Sequence, residues 1–493
     1  MSTLFPIQTQ RDKLREYRHS LKQSIIEKKI HHPLIVILLI ISALAISIAI
    51  TISGVKAAII ILAVVFGITM VAAILINNSI GIVLILIMAY LLMWVLRMGV
   101  NFPLGTLMDA MQGLLMLGFF MQQKKEKNWK IYKNPISIVI LVWIAYILLQ
   151  IANPSAESRL AWVYTVRSTA IVMLMYFIFL HNIRTVSFLR LILKLWLALS
   201  LFAALYAFKQ EHFGFFSFED KWLMSDPLIH DLLFIGGSWR KFSIFSDPVS
   251  FAYNMAIACI FCIALLTGPF SAKKNIVLGI MAAFFFVVML YSGTRGAYIL
   301  VPAALVLLSI LKYSRTIIIA TAAAAVFMTV VIIKPTSNPS IIRFQSAFRP
   351  SEDASFNVRK NNQKRIQPYI LSHPLGGGLG ATGVWGQRFA PGSFLASFPP
   401  DSGYVRTAVE LGSIGLFLFC IFMFICLRTG INNFYKIKDP ELKAYCLGVT
   451  LCVFALNIGN YPQEAFVQFP ISIYFYLFLA IINITLILYN KTN

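Results

Sequence analysis

The chain has 493 residues, 59% of them hydrophobic and only 12% charged, and its mean hydropathy is strongly positive, a mix that excludes an ordinary soluble domain. A formal net charge of +23 raises the question of nucleic acid. The cations are dispersed between apolar runs, with seven Lys/Arg from Arg11 to Lys29 ahead of the first run, which is the positive-inside pattern and excludes nucleic acid as the reading.

Residues 1–32 read as a basic cytoplasmic segment, too long and too charged for the n-region of a signal peptide. From residue 33 the apolar runs recur near the ~20 residues a helix needs to cross the hydrocarbon core. They predict an all-α polytopic transmembrane helical bundle of about fourteen spans (range about 12–14), one integral membrane domain over 33–493. The spans fall near 33–52, 55–76, 80–98, 104–121, 135–152, 166–181, 187–208, 249–266, 276–292, 297–311, 316–333, 403–427, 444–459 and 470–488. The fourth and sixth are short or polar at one end. Lysines and arginines in 122–134, 182–186, 267–275, 312–315 and 428–443 put those connections and both termini on the cytoplasmic side. The six cysteines lie inside apolar runs as small hydrophobes, with neither a disulfide framework nor metal-ligand spacing.

Two connections on the other side are long, 209–248 and 334–402. The second is basic: Lys334, Arg343, Arg349, Arg359, Lys360, Lys364, Arg365 and Arg388 face only Glu352 and Asp353 before Asp401. Long connections in a helical bundle are candidate functional elements, and this one calls for an anionic partner. Within it, residues 355–371 pattern as an amphipathic helix with Phe356, Ile366 and Ile370 on one face and Arg359, Lys360, Lys364 and Arg365 on the other.

Three motifs carry chemistry. Tyr291 to Tyr298 places Arg295 between two apolar runs, flanked by Gly293 and Gly296. Such an arginine either reaches lipid headgroups or, with backbone able to approach beside it, clamps an oxyanion. His373-Pro374-Leu375-Gly376-Gly377-Gly378-Leu379-Gly380 is a glycine-rich run that serves either a tight turn or close approach to a ligand. Pro400 to Leu416 brings Asp401 to the membrane boundary, spaces Arg406 and Glu410 to pair across one helical turn, and sets Gly412 and Gly415 for close helix packing.

In order and spacing these elements resemble the O-antigen ligase/polymerase superfamily of bacterial lipid-linked saccharide transferases. The resemblance rests on Thr294-Arg295-Gly296-Ala297, on Arg359 before Pro374 to Gly380, and on Asp401 followed by Glu410-x-Gly412-x-x-Gly415, with Ser246-Asp247-Pro248 as a further likeness; it covers roughly 240–420. It implies a GT-C-type membrane glycosyltransferase of the bacterial inner membrane with no cofactor and no metal. The donor would be an undecaprenyl-diphosphate-linked glycan, the acceptor a glycan or lipid-linked hydroxyl, with membrane lipids around it and a chain-length regulator as a possible partner. Arg295, Arg359 and Asp401 are then the expected catalytic residues: two arginines on the leaving diphosphate and a carboxylate as base. Arg365, His373, Gly376, Gly378, Gly380, Arg406 and Glu410 are expected at the substrate, His373 being the rival base.

Ligases of this family typically carry His where Asp401 stands, which points to a repeat-unit polymerase, with ligation to lipid or another acceptor as the alternative. A lipid-linked oligosaccharide flippase is the competing class, for which intramembrane Arg97 and Asp109 would speak. A secretion scaffold would not call for the basic loop.

Overall fold

The computed structural model describes residues 71–75, 77–99, 104–235, 237–336, 339–346, 348 and 354–492, with positions 47, 51 and 67 besides. The chain forms two compact units, Met1–Ala73 and Ile74–Asn493. The expected basic segment and first two spans lie almost wholly outside the described residues.

The second unit is helical. Its elements are α1 (Asn78–Arg97), α2 (Leu104–Glu126), α3 (Pro135–Leu149), α4 (Arg159–Asn182), α5 (Val186–His212), α6 (Ser217–Leu223), α7 (Pro227–Leu233), α8 (Pro248–Leu266), α9 (Ala272–Leu290), α10 (Arg295–Tyr298), α11 (Leu300–Leu311), α12 (Arg315–Ile333), α13 (Pro339–Ser346), α14 (Ala354–Ser372), α15 (Gly383–Phe389), α16 (Gly403–Lys436), α17 (Pro440–Gly459) and α18 (Ile471–Thr492). A two-residue antiparallel ribbon, β1 (Phe234–Ile235) and β2 (Ser238–Trp239), is the sheet among the described residues.

Ten helices among the described residues are long and apolar enough to cross a membrane. The shorter apolar stretch Arg295–Leu311 and the more polar α2 fill the other two expected positions downstream of residue 77. The chain is a multi-pass membrane protein. α8, α17 and α18 form its centre, with 83%, 78% and 89% of their most apolar windows buried, whereas none of the α12 window is.

Helix ends depart from hydropathy where hydrogen bonding decides them. α4 begins at Arg159, seven residues before the expected span, because Ser158 caps it by accepting from Ala161 N; Arg167 is carried within the helix. α16 continues to Lys436 since its polar last turns need no hydrocarbon around them. Asp247 caps α8 through Val249 N (2.8 Å) and Ser250 N (2.9 Å), with Pro248 at the first helical position; the Ser-Asp-Pro step is thus a helix start.

Both long connections are folded. In 209–248, Leu223, Leu233 and Phe242 make a small core with Trp222 and Trp239. In 334–402, α14 forms where the amphipathic pattern placed it, and its Ile366 packs with Leu395, Phe398 and Val409 under Ile370. The six cysteines are free thiols, and all but Cys420 are buried.

Candidate active site

The glycine-rich run is best understood through a break in α16. At Gly412 the helix leaves helical geometry (φ 72°, ψ −175°), a combination essentially confined to glycine. The break frees carbonyls in a membrane helix, where water cannot receive them. Each finds a donor: Gly377 N donates to Val409 O (2.9 Å), Gly378 N to Glu410 O (2.9 Å) and the Tyr146 hydroxyl to Leu411 O (2.6 Å). Ile414 N in turn donates to Pro374 O at 3.3 Å.

Backbone meets backbone here. A Cβ at Gly412 would stand 2.0 Å from Pro374 O, and one at Gly376 would stand 2.4 Å from Gly412 N. Gly376, Gly378 and Gly380 all have positive φ. Gly412→Ala combines a disallowed conformation with that collision and should cost roughly 2–4 kcal/mol. The check is a melting curve in detergent, and a wild-type curve would mean that the loop is not clamped to the break.

Glu410 completes the junction. Its buried carboxylate accepts from Gly380 N (3.0 Å), Thr382 N (3.3 Å), the Thr382 hydroxyl and Arg406 Nε (3.0 Å), so the pair expected from the i, i+4 spacing forms. Arg406 Nη1 also donates to Glu464 Oε2 at 2.6 Å. Burial raises the Glu464 carboxyl above its ordinary pKa, and Arg406 partly offsets this. Asn153 closes the other side of the loop, donating to Leu375 O and Gly376 O at 3.0 Å each.

Beside this junction lies a cavity of about 490 Å³. Arg295 and Gly296 of α10 line it, as do Arg359 and Phe356 of α14, Tyr404 of α16, and Tyr461 in the turn after α17. Arg295 and Arg359 are 64 residues apart in sequence, yet both half-buried side chains reach one chamber. No carboxylate lines it among the described residues. Arg295 Nη1 lies 3.5 Å from Ser346 Oγ. Tyr404 is fixed by its hydroxyl donating to Asn457 Oδ1 at 2.6 Å.

Asp401 is not among the residues that line that chamber. Ser402, not Asp401, caps α16, accepting from Val405 N. The Asp401 carboxylate instead accepts from Asn362 Nδ2 at 3.3 Å. Asn362 is one turn along α14 from Arg359, so Asp401 and Arg359 meet the same helix face.

The other expected residues lie elsewhere. Arg365 is exposed and sits over the Phe394 ring, 5.4 Å from its centroid. His373 stacks on Tyr369 with ring centroids 4.0 Å apart, and its Nδ1 contacts Ser372 Oγ and Tyr369 O. Neither lines the chamber that Arg295 and Arg359 share.

Sequence reasoning missed two anchors. Arg240 donates to Ser292 O (2.9 Å) and Thr294 Oγ1 (3.1 Å), holding the turn that presents Arg295. Arg97 donates to Ser243 O (3.0 Å) and Phe245 O and lies over Phe242 and Trp222, so it holds the 242–245 segment. Its intramembrane position had marked it, with Asp109, as what a flippase would need. Asp109 pairs with Arg167 at 3.4 Å.

No curated protein matches the chain. Residues 280–420 match the family model described as O-Antigen ligase, a stretch that runs from the middle of α9 through Arg295, Arg359, Asp401 and the Gly412 break. Residues 280–420 thus resemble the O-antigen ligase/polymerase superfamily, within a chain that is a multi-pass membrane protein.

Proposed function

We propose that the protein is a metal-independent glycosyltransferase that moves a glycan from an undecaprenyl-diphosphate donor to a sugar hydroxyl at the outer face of the bacterial inner membrane, as a repeat-unit polymerase with both termini cytoplasmic. The observation that carries this reading is the one chamber that Arg295 and Arg359 line from different elements. Two guanidiniums in the wall of one chamber suit a diphosphate, whose oxygens match their forked donors.

In the reaction, the acceptor oxygen attacks the anomeric carbon of the donor glycan. The bond from that carbon to the diphosphate oxygen breaks, and its electron pair leaves with undecaprenyl diphosphate. Arg295 and Arg359 stabilise the charge that develops on the leaving oxygen. Asp401 takes the acceptor's proton, with Asn362 orienting its carboxylate. Arg406, Glu410 and the 374–380 loop are positioning elements that hold Asp401 and α14 in register. Asp401 in place of the ligase His favours a polymerase.

The test is purified protein in detergent with lipid-linked repeat units. Longer glycan products without a sealed membrane are expected; unextended substrate would defeat the transferase reading and leave a flippase, and transfer only to a lipid acceptor would make it a ligase. Asp401→Asn should lower turnover by about 10²–10⁴-fold, the usual contribution of a general base. Wild-type turnover across pH in that variant would remove Asp401 as the base.

A further inference from the structure

A second chamber of about 400 Å³ lies between the first turns of α2, the outer half of α4 and the segment entering α18. Asp109, Gln112, Arg167 and Ser472 are among its polar lining, and Phe466 and Tyr476 supply aromatic surface. Its chemistry differs from that of the arginine chamber, since its one cation is already paired with its one anion, Arg167 to Asp109 at 3.4 Å, leaving no net charge for an anionic ligand.

Two of the residues that line it carry an unsatisfied polar atom. Gln112, 1% exposed, and Ser472, 7% exposed, have no hydrogen-bond partner for Oε1 and Oγ among the described residues. An unmet buried polar atom costs about 1–3 kcal/mol, so two in one cavity wall mark a place where a ligand's donors belong. A ligand rich in hydroxyls suits these groups: its hydroxyls can donate to Asp109 and, once the side chains turn inward, to Gln112 Oε1 and Ser472 Oγ, and can accept from Arg167, while apolar C–H faces lie against Phe466 and Tyr476.

The chamber also leads toward the arginine site. It shares Ser168, Thr169, Phe466, Val467 and Tyr476 with a cavity of about 220 Å³ whose wall includes Gly403, Arg406 and Asn460. Tyr404, next to Gly403, and Tyr461, next to Asn460, line the arginine chamber. All three cavities thus border the start of α16 or the α17–α18 turn.

We infer that the Asp109–Gln112–Arg167–Ser472 chamber binds a neutral saccharide and is the acceptor subsite of the transferase. This rests on the transferase reading for the word acceptor, but not for the saccharide.

The experiment uses the full chain in nanodiscs and two probes: neutral oligosaccharides of one and two repeats, released by acid hydrolysis from the source cell's own surface polymer, and inorganic diphosphate. Wild-type protein should give saturation-transfer signals from the oligosaccharide. Gln112→Leu and Asp109→Asn should weaken its binding at least about tenfold, a loss of about 1.4 kcal/mol, while diphosphate binding stays at wild type. Arg295→Ala should show the reverse pattern.

In turnover assays the same chamber variants should raise the acceptor KM with kcat little changed. Gln112→Leu should also melt no lower than wild type, since it removes an unsatisfied group, which separates lost binding from lost folding; Ser472→Ala is the smaller second variant. Oligosaccharide binding that is absent in wild type, or equal in wild type and both chamber variants, overturns the inference. Saccharide binding lost in the chamber variants, in a protein that never extends a glycan, keeps the saccharide site and defeats only the transferase reading.

Discussion

Arg295→Ala and Arg359→Ala are each expected to lower glycan transfer by about 10²–10³-fold, the range for removing one preorganised donor from a developing oxyanion. Both half-buried side chains line the 490 Å³ chamber and neither packs in a core, so the variants should still fold, which melting curves check. Their effects should not add. If the two guanidiniums grip one diphosphate, losing either already releases it, and the double variant should be little worse than the poorer single one. Lysine at either position keeps the charge without the planar fork and should restore only part of the rate. The measurement is the ladder of products from lipid-linked repeat units in detergent. A normal ladder from either alanine variant would sink the clamp.

The membrane bundle was legible because hydropathy is a local property: each expected span downstream of residue 77 has a helix at its position, and only the ends moved, as at Arg159 and Lys436, where capping and solvated polar turns decide. The α14 helix was legible for the same reason, but not its faces: Phe356 and Arg359, expected on opposite sides, line one chamber. The break at Gly412 was not, because its cause is the loop around Gly376, 36 residues earlier, and neither glycine announces a non-helical partner. Arg97 and Arg240 show the converse difficulty. An arginine near a membrane boundary reads alike whether it faces a ligand or grips backbone carbonyls, and only the fold reveals that these two grip Ser243, Phe245 and Ser292. The chamber that Arg295 and Arg359 share lies between these cases: both residues stood out by type and setting, but their meeting depends on how α10 and α14 approach α16.

Glu410→Gln should be the most destabilising conservative change at the junction, by roughly 3–5 kcal/mol, the cost of stripping the partner from a buried charge. The carboxylate of Glu410 faces only donors: Gly380 N, Thr382 N, the Thr382 hydroxyl and Arg406 Nε. An amide of the same shape must turn an N–H toward one of them, and no rotation avoids it. The variant also leaves Arg406 with Glu464 alone, a carboxyl whose pKa burial raises and which is therefore the poorer counter-charge. Since the same hydrogen bonds hold the 374–382 loop against α16, activity should fall with stability, and lowering the temperature should restore part of both. Glu464→Gln removes one counter-charge from Arg406 but keeps an acceptor oxygen, and it leaves Glu410 in place, so its loss should be clearly smaller. Melting curves of the three proteins in one detergent decide the matter: a Glu410→Gln curve that overlays wild type, or one that lies above that of Glu464→Gln, would show that the loop is held by its glycine contacts and not by this carboxylate.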